Sequence, residues 1–360
     1  MSTVVGVLGG AGAIGTEAVD FLLRYVSDIE VLVLGRSSEK LTHILKSHKK
    51  NIRTQVLDCS NILDLRKVLQ QCSVICNCAG PSSVLGPCVA KEALRAEVPY
   101  VDPAGEAPLL AVFERPEHYK TENISTVVLG SGLMPGLSGL VPLWLYQHLQ
   151  EKNRPSTYLR IYYAALDAFS YSAAYDYAES MRKAPPPEST AARPHFVEMP
   201  FSGQSFLAFA YTSFEIRRVR ERLNIPLDFH NCFIGEEMPR ALATIAKTAD
   251  SVFSLDDAAT VLKNASGACA SRYGRGHFFL CEAEGDNGQK TSLAVAVDDA
   301  NTFMGAMVGM AVEAILSGQV RGVNYFAEAL PPKSVMTQLA RQGLIRMGPP
   351  EMHFVHNQEV

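Results

Sequence analysis

The run Gly9-Gly10-Ala11-Gly12-Ala13-Ile14-Gly15 constrains this chain more than any other segment. It stands between the apolar, β-branched run Val4–Leu8 and a stretch, Ile14–Val26, whose residues Ile14, Ala18, Phe21, Leu22 and Tyr25 recur at helical spacing. In a turn from strand to helix each glycine has its own purpose. Gly10 allows the tight turn, Gly12 lets a diphosphate approach the backbone, and Gly15 lets the helix pack on the strand. The helix N-terminus then offers free N–H groups and a partial positive charge to phosphate. The spacing therefore predicts a dinucleotide-binding turn, with Gly10, Ala11, Gly12, Ala13, Ile14 and Gly15 around the diphosphate.

The same alternation continues for more than a hundred residues. Strand-like runs at Val31–Leu34, Thr54–Leu57, Ser73–Cys78, Val98–Val101 and Ser125–Leu129 are separated by helical patterns at Ser38–Lys46, Ile62–Gln71, Val84–Ala96 and Pro108–Tyr119. Strands and helices in strict alternation form a parallel sheet with helices on both faces, which predicts an α/β, doubly wound Rossmann domain. Beyond residue 135 the pattern changes. An apolar helix (Leu137–Leu149) and a strand (Thr157–Ala164) lead to a loop, Lys183–Pro194, with three successive prolines. Later, His277–Ala283 and Thr291–Val297 flank an Asn287-Gly288 turn, the mark of an antiparallel hairpin. The expected division is residues 1–132 for the dinucleotide and 133–330 for an α+β domain with an antiparallel sheet, serving substrate binding and dimerisation. Residues 331–360 are expected to pack back on the first domain.

Composition removes several alternatives. Charged residues make up 19% of the chain, 33 Lys+Arg stand against 37 Asp+Glu, and no basic block exists, which argues against nucleic-acid binding. Five of the eight cysteines fall between Cys59 and Cys88 in apolar runs, which is no disulfide framework. Cys76 and Cys78 without nearby histidines read as core, and no metal site is expected. Ser125–Gln150 carries no charge, but its glycines and two prolines suit a strand, a turn and a helix start better than a membrane span. The N-terminus has no basic leader, so the expectation is a reduced, cytoplasmic protein.

Coenzyme choice is written at the end of the second strand. An acidic residue there bonds a ribose 2′-hydroxyl and repels a 2′-phosphate. This chain instead has Gly35, Arg36 and Ser37, a donor set suited to phosphate, so NADP(H) is the expected coenzyme. Asp58 closes the third strand within reach of the adenine, and Cys78, Ala79, Gly80 and Pro81 follow the fourth, bordering the coenzyme's second half.

With Tyr100-Val101-Asp102-Pro103-Ala104-Gly105-Glu106 and Gly132-Leu133-Met134-Pro135-Gly136, these segments resemble the saccharopine dehydrogenase-like NAD(P)-binding oxidoreductases. The resemblance runs over residues 1–140 and, more faintly, 300–345. It implies hydride transfer with secondary amines and imines such as saccharopine, or with intermediates of peptide and siderophore assembly lines. Reduction of a C=N bond in a small or carrier-tethered biosynthetic intermediate is the expected reaction; an enoyl reductase and a non-catalytic NADP(H)-binding sensor or scaffold are the alternatives. Hydride transfer to an imine needs a proton donor in a site that excludes water. Tyr171 is the first candidate, Asp102 the second, and Tyr175, four residues from Tyr171, shares its helix face. Asp102 and Glu106 also suit the cap of a following helix. His230 and His277 remain as further candidates. A homodimer is expected, through the second domain's sheet or the helix Thr302–Leu316, whose Gly305 and Gly309 allow close approach.

Overall fold

The computed structural model describes residues 3–48, 50–105, 107–113, 126–183, 193–247, 253–286, 288–348 and 351–354. The proline-rich loop, Asn287 and Glu106 thus lie outside the described residues. The chain divides into two compact units: Met1–Gly136 with Asn301–Leu330, and Leu137–Ala300 with Pro331–Val360.

The first unit opens with β1 (Thr3–Leu8), α1 (Ala13–Tyr25), β2 (Ile29–Gly35), α2 (Ser38–Ser47), β3 (Ile52–Val56) and α3 (Ile62–Leu69). It continues with β4 (Val74–Asn77), α4 (Ser82–Arg95), β5 (Tyr100–Val101), α5 (Ala107–Phe113) and β6 (Val127–Leu129). The second unit supplies α6 (Leu137–Glu151), β7 (Ser156–Leu166), α7 (Tyr171–Lys183), β8 (His195–Met199), β9 (Gln204–Tyr211) and α8 (Phe214–Leu223). Then come β10 (Leu227–Phe233), α9 (Glu237–Lys247), α10 (Leu255–Tyr273), β11 (Gly276–Gly285) and β12 (Gln289–Val297). The chain returns to the first unit for α11 (Ala300–Leu316), β13 (Val323–Tyr325) and α12 (Phe326–Ala329), and ends in the second with α13 (Pro332–Arg341), β14 (Arg346–Met347) and β15 (Glu351–Phe354).

Seven strands of the first unit form one sheet in the order β13-β6-β5-β4-β1-β2-β3, and every pair is parallel. Burial from both sides explains the apolar runs: Val31, Leu32, Val33 and Leu34 are all fully buried. The strand order reverses between β1 and β4, and in such sheets the ligand crevice lies beyond the strand ends at that reversal.

The second sheet runs β14-β12-β11-β7-β10-β9-β8, with β15 also on β12. It is mixed rather than antiparallel: β7 and β10 pair in parallel, because the chain between them passes through α7, a β8–β9 hairpin and α8 before returning. The hairpin read from the sequence is present as β11 and β12, in antiparallel register from His277↔Val297 to Glu284↔Lys290. Residues 126–150 form β6, a turn and α6, and no helix among the described residues is long and apolar enough to cross a membrane.

Two expectations change with these units. The break falls after Gly136, not at 132, and residues 301–330 belong to the first unit, where β13 adds a parallel strand beside β6. The last segment goes to the second unit, not the first, because β14 and β15 pair with β12. The small-residue face of α11 has an internal partner. A Cβ on Gly305 would stand 2.4 Å from the Cβ of Glu17, and one on Gly309 would stand 2.1 Å from the Phe21 ring. Those glycines let α11 lie close against α1, so that face is not free to form a dimer.

Candidate functional site

The glycine loop follows β1 at the strand reversal. At Gly15 an added Cβ would stand 2.2 Å from the Gly9 carbonyl oxygen and 2.6 Å from the Gly10 Cα, so α1 can approach the loop only without a side chain there. Gly12 differs: the closest atom to its Cβ position is the Gly9 oxygen at 3.1 Å. That single contact is tight but far milder than those at Gly15, and Gly12 is also the N-cap of α1, which it caps with no side chain. The first-turn N–H groups at Ala13 and Ile14 are left for an anion, the arrangement a diphosphate requires.

Around this loop the other expected coenzyme residues gather at strand ends. Arg36 is exposed just beyond β2, and Ser37 caps α2 by accepting a hydrogen bond from the Lys40 amide at 3.3 Å. Asp58 lies beside them, since the Leu57 amide donates to the Gly35 carbonyl at 2.9 Å. Hydrogen bonds from the Ser60 hydroxyl (2.7 Å) and amide (3.0 Å), with help from the Arg36 charge, hold the Asp58 carboxyl below its usual range. On the other side of the reversal the Cys78 amide donates to the Leu8 carbonyl at 2.8 Å. The turn Cys78–Pro81 then abuts the glycine loop, for a Cβ on Gly9 would meet the Ala79 nitrogen at 2.7 Å. Burial pushes the Cys78 thiol well up, so it stays protonated.

Asp102, read from sequence as a proton donor or a helix cap, is buried. It is 1% exposed and accepts from the Tyr100 hydroxyl (2.5 Å), the Asn77 side-chain amide (2.9 Å), the Ser82 hydroxyl (3.1 Å) and the Ala104 amide (2.8 Å). Burial pushes its carboxyl up to about 7 against the pull of those four donors. Asn77 and Ser82, which flank the turn Cys78–Pro81, are not singled out by the sequence as partners of Asp102. A polar residue ending a buried strand is the signal that could have singled out Asn77.

Tyr171 and Tyr175 belong to the second unit, on α7. Tyr171 is 40% exposed and its hydroxyl donates to Asp256 in the first turn of α10; that bond is the main reason its own pKa is raised. The Tyr175 ring lies 6.2 Å from that of Tyr171, on the same helix face as expected. His230 and His277 stand on opposite faces of the mixed sheet. His277 Nδ1 is 3.0 Å from the Tyr163 hydroxyl, and its Nε2 is 3.8 Å from Asp167, an ion-pair separation rather than a hydrogen bond. His277, followed by the Ala168 amide and Arg275, holds the Asp167 carboxyl below its usual range. His230 is 3% exposed, stacked on Tyr162, and pushed down to about 4 by burial. Tyr163 and Asp256 had not been singled out; nothing in their local sequence names partners so far along the chain. Among the described residues no cluster of His, Cys, Asp and Glu could hold a metal ion.

Residues 5–128 match the family model of the saccharopine dehydrogenase NADP binding domain. The first unit thus carries a nicotinamide-dinucleotide-binding domain like that of the saccharopine dehydrogenases. Over 98% of this chain and 100% of the other, the fold matches apo saccharopine dehydrogenase (L-Glu forming) from Saccharomyces cerevisiae, at 14% identity and a TM-score of 0.65. Homospermidine synthase from Legionella pneumophila, in complex with NAD, matches over 98% of this chain and 91% of its own, at 11% identity and a TM-score of 0.60. At these identities the likeness establishes the fold. No curated protein matches the sequence.

Proposed function

We propose that this protein is a cytoplasmic, NADPH-dependent reductase of a C=N bond in a small or carrier-tethered biosynthetic intermediate. The observation that carries the coenzyme choice is Arg36 with Ser37 at the end of β2, beside a glycine loop that leaves the α1 N-terminus open. The chain's resemblance to enzymes of secondary amines and imines supports the C=N bond as the target.

When bound, the nicotinamide supplies the hydride. The residues of this chain do the rest. Gly10 to Gly15 and the first turn of α1 hold the diphosphate; Arg36 and Ser37 hold the 2′-phosphate, with Gly35 and Asp58 at the adenosine; Cys78, Ala79, Gly80 and Pro81 border the nicotinamide half. Tyr171 is the proton donor this reading favours, with Tyr175 beside it. Its hydrogen bond to Asp256 raises the hydroxyl's pKa above its ordinary value. A two-fold dimer would form through the second unit's sheet, whose edge strand β8 leaves Phe196 73% exposed.

The coenzyme reading is tested by titrating NADPH and NADH against the native protein and Arg36→Ala. Loss of one charge-assisted phosphate contact should cost about 1.5–3 kcal/mol with NADPH and little with NADH. Tighter binding of NADH to the native protein would end the NADP(H) assignment.

A further inference from the structure

β5 is two residues long, and its end delivers a carboxylate into the interior of the first unit. The two oxygens of Asp102 offer about four lone-pair positions. Four donors converge on them: Tyr100 from its own strand, Asn77 from the end of β4, Ser82 from the start of α4, and the Ala104 amide. Gly86, one turn further along α4, keeps that helix close, for a Cβ there would stand 3.5 Å from the carboxylate. The acceptor positions are filled, and no face of the group is left for a substrate. A proton donor needs such a face; a residue that fixes the shape of its surroundings does not.

The network leads in one direction. Asn77 donates to Asp102 through Nδ2, while its Oδ1 accepts from the Ala79 amide at 3.3 Å. Ser82 immediately follows Pro81 and also donates to Asp102. Both ends of the turn Cys78–Pro81 are thereby tied to one carboxylate, and the turn itself lies against the glycine loop at Gly9.

We propose that Asp102 is a positioning residue, which through Asn77 and Ser82 holds the turn Cys78–Pro81 in the shape that receives the nicotinamide half of the coenzyme. The proposal rests on the coenzyme placement given above. It replaces the role of proton donor for Asp102, and it explains why a carboxylate is kept where burial opposes its charge: only an ionised acceptor satisfies four donors at once. When Asp102 takes up a proton, one of those donors must turn away. The titratable groups nearest to it are Tyr100 on its own strand and Cys76 and Cys78 on β4 and the turn beyond it, all kept protonated by burial. From α4 the side facing it is Ser82 and Gly86, and β6 brings Val127, Val128 and Leu129.

The test compares two ligands: NADPH, and adenosine 2′,5′-bisphosphate, which carries the adenosine and 2′-phosphate without the nicotinamide. In Asp102→Asn the introduced amide points a donor at donors. NADPH affinity should fall at least about tenfold, the worth of a hydrogen bond to a charged group, while adenosine 2′,5′-bisphosphate binds as before. In the native protein the ratio of the two affinities should decline as pH falls below about 7 and be flat for Asp102→Asn; taking the ratio cancels the titration of the shared 2′-phosphate. Tyr100→Phe and Ser82→Ala each remove one donor and leave the carboxylate, so they should lower the ratio by a smaller factor. A folded Asp102→Asn that binds both ligands as the native protein does, or loses both equally, overturns the proposal. Should that variant not fold, unchanged ratios in both Tyr100→Phe and Ser82→Ala overturn it instead. Failure of the native protein to bind adenosine 2′,5′-bisphosphate would strike the coenzyme placement rather than the role of Asp102.

Discussion

In the parallel sheet β2 buries Val31 to Leu34 completely, and its polar chemistry begins only past its end, at Arg36 and Ser37. In the mixed sheet the polar residues lie within the strands: Tyr158, Arg160, Tyr162 and Tyr163 on β7, and Asp228, His230 and Asn231 on β10. His230 stacks on Tyr162 with its Nδ1 buried and unbonded; the others bond or ion-pair with a side chain on another strand or helix. Tyr158 donates to Asp228 at 2.5 Å, Tyr162 bonds His195 at 3.1 Å, and Tyr163 bonds His277 at 3.0 Å. One sheet is an apolar scaffold whose central strands keep their polar groups to their ends. The other spreads its hydrogen bonds and ion pairs across both faces, and its roles depend on pairs of distant side chains.

The sharpest break in that comparison comes from the glycine loop. Gly15→Ala forces a Cβ into the Gly9 carbonyl, so the first unit should lose about 3 kcal/mol or more, seen as a fall in its thermal midpoint. Gly12→Ala should lower the midpoint far less and abolish coenzyme titration, because its Cβ would meet one atom, the Gly9 oxygen at 3.1 Å, while filling the approach a diphosphate needs. If both variants melt alike, the loop's two glycines do the same work and the scaffold reading fails.

Next is Tyr171→Phe, which removes a hydroxyl and keeps the ring. A proton donor contributes ~100-fold or more to turnover, so kcat should drop by that factor with NADPH affinity intact. A lower midpoint with native kcat would instead make Tyr171 only a link between α7 and α10 through Asp256.

The smallest effect is also the most specific to the comparison, because acid should act on the two units with opposite sign. His230 has a folded pKa of about 4, below its ordinary 6.5, so its contribution to stability is lost as pH falls through that interval. Asp102 has a folded pKa of about 7, above its ordinary 3.8, so its contribution is complete below about 4 and lost as pH rises through 7. Between pH 7 and 5 the free energy that protects β10 amides from exchange should therefore fall by on the order of 1 kcal/mol, and that around β5 should rise, with His230→Asn removing the first change.

Legibility from sequence follows the same division. Val4–Leu8 and Ile14–Val26 fall within one residue of β1 and α1, with the glycine run between them, because a turn built from backbone is written in consecutive residues. Two of the four donors to Asp102, Ser82 and Asn77, are 20 and 25 residues away, and Asp256 is 85 residues from Tyr171; no local pattern encodes such pairings. Gly305 and Gly309 were legible as a close-packing face, but a small-residue pattern does not say what packs on it, and α1 proved to be the partner. The parallel pairing of β7 with β10 was hidden for a similar reason, since two intervening helices and a hairpin separate them.

The return of residues 301–330 to the first unit has a consequence for how the chain emerges from the ribosome. At roughly 5–20 residues per second, β6 is made about 10–40 s before β13, its neighbour in the sheet. During that interval the nascent first unit shows an unpaired strand edge at Val127–Leu129 and a bare Phe21, which α11 has yet to reach. Unpaired edges invite wrong partners. The whole of residues 137–300 is threaded through that interval, so a slow-folding variant of the inserted unit would show itself first as aggregation through the nucleotide-binding one.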